Sequence, residues 1–145
     1  MRNFLLILIL IIPFSCSLPS DNNFTFSNPK FNDMQEACEW INQNITYKKD
    51  FYDYWKMPQE TLNDGDGDCE DQALLLMGIM KYQKDYDSEL IIVQLDSSTT
   101  HAVVKFKNKY YDCTNGKSYG SGKYNIITTY NYDSAMNVAK YVKNY

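Results

Sequence analysis

The stretch GDGDCEDQALLL, residues 65–76, constrains the fold of this 145-residue chain more than any other. Its glycines and aspartates predict a turn, and the run 73–80, apolar on nearly every side, predicts a buried helix. Asp68 is the natural N-cap of that helix, and Asp71 lies three residues on, where a capping partner belongs. Cys69 is therefore expected in the first helical turn, where the positive end of the helix dipole favours a thiolate.

Hydrophobic spacing and turn residues predict the other elements. A helix is expected from Phe31, capped by Asn32 or Asp33, and the helix at Cys69 is expected to reach Lys81 or Gln83. The remaining segments are an irregular or short helical stretch at 47–55, a short turn from Pro58, strands at 89–96, 101–107, 109–114 and 124–130, a loop at 115–123 and a closing helix at 133–142. This order predicts an α+β domain with helices packed on one face of an antiparallel sheet.

The N-terminus resembles a secretory signal peptide. Arg2 precedes a short apolar run and small residues around position 17, and the run is too short to span a membrane. An alternative is a lipid anchor at Cys16. We therefore expect a signal peptide at 1–17, an N-terminal arm at 18–30, one domain at 31–145, and a protein that is secreted, periplasmic or attached to the cell envelope.

Charge argues against nucleic-acid binding. The net charge is −4, and it becomes −5 without residues 1–17, because Arg2 is the only charged residue lost. Lysine and arginine form no cluster along the chain, so a basic surface for a phosphate backbone is not expected.

Three cysteines remain after residue 17: Cys38, Cys69 and Cys113. An odd number in an exported chain leaves at least one thiol free or paired outside the chain. One arrangement joins Cys38 to Cys113 and leaves Cys69 free. The other keeps both as buried small apolar residues.

Cys69 needs a base, and His101 is the only histidine in the chain. If Lys107 and Asn108 form a two-residue hairpin turn, Asp112 lies opposite Val103 and diagonally beside His101 on the same face, within side-chain reach. Asn115 is the alternative orienting residue, but in that register it falls on the other face. The hairpin therefore favours Asp112.

The run Trp55-x-x-Pro58-x-Glu60-Thr61-Leu62, followed by Gly67-Asp68-Cys69-Glu70-Asp71, resembles the transglutaminase-like superfamily and most closely its bacterial cysteine peptidases. The resemblance covers roughly residues 34–115. It implies a papain-like core with the cysteine at a helix start and the histidine and aspartate on adjacent strands, and these roles fall on Cys69, His101 and Asp112.

The same resemblance implies a thiol enzyme that acts on a protein or peptide amide and forms a thioester, which passes to water or to an amine. Backbone N–H groups at the helix start would hold the oxyanion, and Trp55 and Gln59 are candidate side-chain donors. No cofactor or metal is expected, and the chain is expected to be a monomer.

Two interpretations compete with catalysis. Asp64, Asp66 and Asp68 are spaced like calcium ligands, but an EF-hand would need Gly and Glu where this chain has Cys69 and Leu75, so only a looser site remains. The other is an inactive binding module of the cell envelope that keeps the fold without the chemistry. The acidic residues around Cys69 also oppose thiolate formation, which weighs against high reactivity.

Overall fold

The computed structural model describes residues 24–142. The elements are α1 (Met34–Asn44), β1 (Thr46–Tyr47), α2 (Pro58–Asp64), β2 (Asp66–Gly67), α3 (Cys69–Lys84), β3 (Glu89–Gln94), β4 (Thr100–Phe106), β5 (Lys109–Asp112), β6 (Lys117–Gly120), β7 (Asn125–Asn131) and α4 (Tyr132–Val142). The predicted signal peptide at 1–17 and Cys16 lie outside this range. Over 24–142, the helices are too short or too polar for any of them to cross a membrane.

Five strands form one antiparallel sheet in the order β6-β5-β4-β3-β7. Helices α1 and α3 pack on one face, which carries Leu90, Ala102 and Val104. The predicted α+β class, with helices on one face of an antiparallel sheet, is confirmed. The opposite face carries a smaller apolar cluster of Ile91, Val93, Val103 and Tyr110, with Tyr124 laid against it.

Helix α3 is the centre of the core. Its residues from Ala73 to Met80 are all buried, as the all-round apolar pattern predicts. Gly78 lets α2 approach, because a Cβ there would lie 3.0 Å from two ring atoms of Pro58. Helix α1 presents its predicted stripe of Met34, Ala37, Cys38 and Ile41 to the same core.

Residues 24–30 of the predicted arm lie against the domain. Phe26 is buried, with its ring centroid 5.3 Å from that of Trp40 and 5.9 Å from that of Phe31. The Gln83 amide donates to the carbonyl oxygens of Pro29 (2.8 Å) and Phe26 (3.3 Å). The boundary between arm and domain stays a prediction.

Two local predictions were wrong. The expected loop at 115–123 contains strand β6, which pairs with β5, and its glycines serve the turns on either side: Gly116 has φ +67° and Gly122 has φ +87°. The turn at Pro58 is a helix of seven residues with proline in its first turn. The stretch 47–55 is irregular rather than helical, which is one of the two forms expected, and it begins in β1, which pairs in parallel with β2.

Candidate functional site

Cys69 is the first residue of α3, as predicted, and Asp68 is the N-cap. Asp71 carries the capping contact, since its Oδ2 accepts from the Asp68 N–H at 3.2 Å while its Oδ1 accepts from the Lys56 N–H at 2.7 Å. Gly67 allows this approach, because a Cβ there would lie 2.6 Å from the Asp71 Cβ. The glycine and aspartate turn therefore fixes where the thiol is presented.

His101 and Asp112 meet on the hairpin β4–β5. Phe106 pairs with Lys109, so Lys107 and Asn108 form the turn, and the register continues to place Asp112 opposite Val103. His101 Nε2 lies 3.0 Å from Asp112 Oδ1. The contact expected from the two-residue turn is present, and both side chains are largely buried.

Asp112 is held by further donors from the turn that follows it. Its Oδ1 also accepts from the Thr114 hydroxyl (2.7 Å) and N–H (3.1 Å), and its Oδ2 accepts from the Asn115 amide at 2.8 Å. Burial raises the pKa of Asp112, but the hydrogen bonds from His101 and Thr114 outweigh it, so the pKa lies below its usual value. Asp112 is thus a fixed anion.

The prediction that Asn115 lies on the wrong face for the site needs correction. Strand β5 ends at Asp112, and the chain then turns, so strand alternation no longer decides where the Asn115 side chain points. Asn115 supports Asp112 and does not replace it. The sequence signal was the run Asp-Cys-Thr-Asn, in which an aspartate can accept from residues two and three positions on.

The Cys69 sulfur lies against strand β4, where the backbone of Ala102, the residue after His101, hydrogen-bonds to it. The thiol itself donates to Glu70 Oε2 at 2.9 Å rather than to His101. Burial and the Glu70 carboxylate raise the pKa of Cys69 well above its usual value. The expectation that the helix dipole favours a thiolate is therefore wrong for this arrangement, because desolvation and a neighbouring anion outweigh the dipole.

Trp55 and Gln59, the candidate oxyanion donors, have other partners here. Trp55 is buried and its indole hydrogen-bonds to the Asp53 carboxylate. Gln59 Nε2 donates to Asn63 Oδ1 at 3.0 Å, one turn along its own helix. The structure therefore places neither of these two side chains at the thiol. The candidate oxyanion donors that remain are the backbone N–H groups in the first turn of α3, since a helix start leaves them without intrahelical partners.

Tyr47 belongs to the surroundings of the thiol, although the sequence did not single it out. The parallel bridge between β1 and β2 pairs Tyr47 with Gly67, two residues before Cys69. Burial raises the pKa of Tyr47, and the charges at Cys69, Asp68 and Glu70 raise it further. A two-residue parallel bridge carries no sequence pattern, so this contact had no local signal.

Comparisons with known proteins identify a family and a fold for this chain. A family model described as a transglutaminase-like domain matches residues 23–113. Legionella pneumophila LapG has a TM-score of 0.58 at 22% identity, over 67% of this chain and 61% of that chain. An EGTA-treated form of LapG has a TM-score of 0.53 at 23% identity, and a calcium-bound form 0.55 at 22%.

These two forms match 67% of this chain and 61% and 62% of their own. The matched region thus spans less than two thirds of LapG, and at these identities the likeness concerns the fold. No curated protein matches the chain significantly.

Proposed function

This chain belongs to the transglutaminase-like domain family, and from that premise we propose that it is an exported, monomeric thiol enzyme acting on amide bonds of proteins or peptides. Cys69 is the nucleophile, His101 its base and Asp112 the group that orients the base. The observation that carries the proposal is the 3.0 Å contact between His101 Nε2 and Asp112 Oδ1, on the strand whose Ala102 backbone bonds the Cys69 sulfur.

The contact with Asp112 assigns the two ring nitrogens of His101 different tasks. With the Nε2 proton directed to Asp112, Nδ1 accepts the proton of Cys69. The thiolate then adds to the amide carbonyl, and the N–H groups at the start of α3 stabilise the oxyanion. The C–N bond breaks as His101 returns the proton to the leaving amine, and an acyl thioester remains on Cys69.

Before attack, the thiol of Cys69 must turn away from Glu70, so that its proton can be transferred to His101. The raised pKa of Cys69 describes the state in which the thiol faces Glu70. A substrate that displaces the Glu70 carboxylate, or pairs with it, removes the strongest neighbouring charge that opposes the thiolate. Activation is thus coupled to occupation of the site.

The decisive experiment compares the unmodified chain with Cys69→Ala on an unfolded protein mixture that contains a biotinylated alkylamine. New peptide N-termini found by mass spectrometry identify hydrolysis, and incorporated amine identifies transfer. We expect one of these products from the unmodified chain and neither from Cys69→Ala. Equal products from both chains would refute the nucleophile.

The role of His101 is tested without a substrate. Iodoacetamide labels Cys69 in the tryptic peptide 57–81, which holds no other cysteine. We expect His101→Ala to slow labelling near neutral pH, because the imidazole no longer takes the thiol proton. Lys109→Ala, an exposed position on the same hairpin, is the matched control. The same rate in the His101 variant and the unmodified chain would remove His101 as the base.

The second candidate is an inactive binding module of the cell envelope, favoured by the hydrogen bond from the thiol to Glu70. It predicts no product in either assay and labelling of Cys69 that does not depend on His101. The two candidates therefore give opposite results in the same pair of experiments.

Calcium is the cofactor to test, since one LapG form is calcium-bound. In this chain Lys56 binds both Asp64 and Asp66 at 2.9 and 2.7 Å, which leaves Asp68 and Glu70 outside the ion pairs found among residues 24–142. Two carboxylates are few for an ion that takes about six to eight oxygen ligands. We expect EGTA to change neither Tm nor Cys69 labelling; a Tm that falls with EGTA and recovers with calcium would contradict this.

A further inference from the structure

Cys38 and Cys113 meet inside the core, away from the Cys69 thiol. Cys38 lies on the buried stripe of α1, and Cys113 directly follows β5; both are buried, at 0% and 3% exposure. Their side chains are hydrogen-bond partners. All three described cysteines are free thiols in this structure.

The backbones on either side of this pair are tied together. The Asn42 amide on α1 donates to the Thr114 carbonyl oxygen at 2.8 Å, and the Gln35 amide donates to that of Gly116 at 2.9 Å. Gly116 approaches α1 closely, since a Cβ there would lie 3.2 Å from Asn42 Oδ1. A bond between the two sulfurs therefore needs no movement of one element past the other, which is the usual obstacle to forming one.

We propose that Cys38 and Cys113 form a disulfide in the exported protein, so that Cys69 is left as the single thiol of residues 24–142. The inference goes beyond the proposed function and depends on export only for the oxidising compartment. It accounts for the odd number of cysteines, because the nucleophile is the one without a cysteine neighbour: Cys69 contacts Glu70 and Ala102 instead.

The reaction needs an oxidant, and a disulfide supplies it: the catalytic disulfide of a thiol oxidoreductase, or oxidised glutathione. One cysteine thiolate attacks that disulfide to give a mixed disulfide and a released thiol. The second cysteine then attacks the mixed disulfide, so the S–S bond forms while the oxidant gains two electrons and two protons as two thiols. Since both sulfurs are buried in the folded chain, the exchange occurs during folding, before α1 covers β5.

The bond would link α1 covalently to Cys113, the residue that follows Asp112. Because the cross-link closes a long loop, it restricts the unfolded chain strongly and stabilises the folded one. The donors to Asp112 from Thr114 and Asn115 lie in the same turn, so the cross-link also steadies the group that orients His101.

Tryptic digestion tests the bond directly, because each described cysteine falls in a separate peptide: Cys38 in 31–48, Cys69 in 57–81 and Cys113 in 110–117. The full chain is expressed and exported by a bacterial host. It is then unfolded and alkylated in the absence of a reductant. We expect 31–48 linked to 110–117, and 57–81 alkylated. Full alkylation of 31–48 and 110–117, or a link from either one to 57–81 or to any peptide that still carries Cys16, would overturn the proposal.

Thermal unfolding gives a second readout. Reduction should lower Tm by about 10 °C, the shift that a disulfide closing a long loop produces in a domain of this size. The Cys38→Ala/Cys113→Ala chain should show no response to reductant. In Cys69→Ala the link should persist, so failure of the disulfide and failure of the nucleophile are separate results. An unchanged Tm on reduction of the unmodified chain would overturn the proposal.

Discussion

Asp64 and Asp66 share one short acidic run with Asp68 and Asp71, yet the two halves are held differently. Lys56 Nζ lies 2.9 Å from Asp64 and 2.7 Å from Asp66, and Lys48 Nζ lies 2.9 Å from Asp66. Hydrogen bonds from Lys56 and Lys48 lower the pKa of Asp66.

In the second half, burial raises the pKa of Asp68 to about 8, with Glu70 adding to it, and burial raises the pKa of Asp71 to about 6. Lysines from another segment form ion pairs with Asp64 and Asp66, and no ion pair among residues 24–142 involves Asp68 or Asp71. Composition alone would assign all four the same charge. The first half is therefore held by ion pairs with lysines, whereas the second half is buried beside Cys69, where Asp68 adds to the pKa shift that burial and Glu70 produce.

Gly67 separates the two halves, and Gly67→Ala should have the largest effect. The new Cβ would lie 2.6 Å from the Asp71 Cβ and 2.9 Å from its Oδ2, so the capping contact must break or the backbone must shift. We expect a loss of about 3 kcal/mol in the free energy of unfolding, measured with urea. Gly120→Ala is the control, since a Cβ there meets no atom within 4 Å. Equal effects of the two variants would contradict the close approach.

The halves should respond to pH with opposite signs. The folded pKa of Asp68, about 8, exceeds the ordinary 3.8 of the unfolded chain, so between these values the folded state keeps a proton that the unfolded state has lost. The free energy of unfolding should therefore fall by about 3 to 4 kcal/mol as pH rises from 5 to 8, since each pH unit below the folded pKa contributes about 1.4 kcal/mol. Asp71 contributes with the same sign up to about pH 6.

Asp68→Asn should remove most of this fall while keeping a side chain able to cap. Asp66 has a lowered pKa, so its contribution is present above pH 3.8 and is lost as pH falls below that value. Asp66→Asn should therefore leave the slope between pH 5 and 8 unchanged. Urea unfolding at four pH values measures all three chains, and a slope shared by the Asp68 variant and the unmodified chain would refute the assignment.

Glu70→Gln should sharpen the comparison at the thiol itself. This variant removes the carboxylate that accepts the hydrogen bond from the thiol. The pKa of Cys69 should fall, because burial still raises it but the neighbouring negative charge no longer does. We expect iodoacetamide labelling at pH 7.5 to rise about tenfold, the effect of one pKa unit. Asp87→Asn removes an exposed carboxylate that pairs with Lys81, and should not change the rate.

The smallest effects concern the lysines of the first half. Lys56→Met should cost about 1 kcal/mol, because its largely buried ammonium group joins two aspartates and its loss leaves them facing each other. Lys48 is 68% exposed in its pair with Asp66, so Lys48→Met should cost no more than about 0.3 kcal/mol. If both variants lost the same free energy of unfolding in urea, the ion pairs of Lys56 would not be the main interaction that holds Asp64 and Asp66.

Local sequence signals predicted the parts of the site that depend on neighbours along the chain. The cap at Asp68 and the start of α3 follow from residues within one helical turn. The meeting of His101 with Asp112 follows from a two-residue turn, which fixes the register of a hairpin. Strand β6 was missed because two glycines lie in and beside it and its stability comes from pairing with β5.

The contacts that alter reactivity were not predictable in this way. The thiol donates to Glu70 instead of His101 because of side-chain rotation in a buried turn, which no spacing rule encodes. Trp55 pairs with Asp53 across two residues of irregular backbone, so its N–H was not free for an oxyanion as the sequence suggested. Asn115 reached Asp112 because a strand ended earlier than expected.

The pairing of Trp55 with Asp53 also has a spectroscopic consequence. The chain has two tryptophans, and Trp40 is half-buried, with its ring beside those of Phe26 and Phe31. Trp55 bonds a carboxylate whose own pKa is raised by burial and by Glu70. Since indole emission responds to nearby charge, a Trp40→Phe chain would emit from one indole whose intensity follows the protonation of Asp53 and the arrival of substrate beside Glu70, without any added dye.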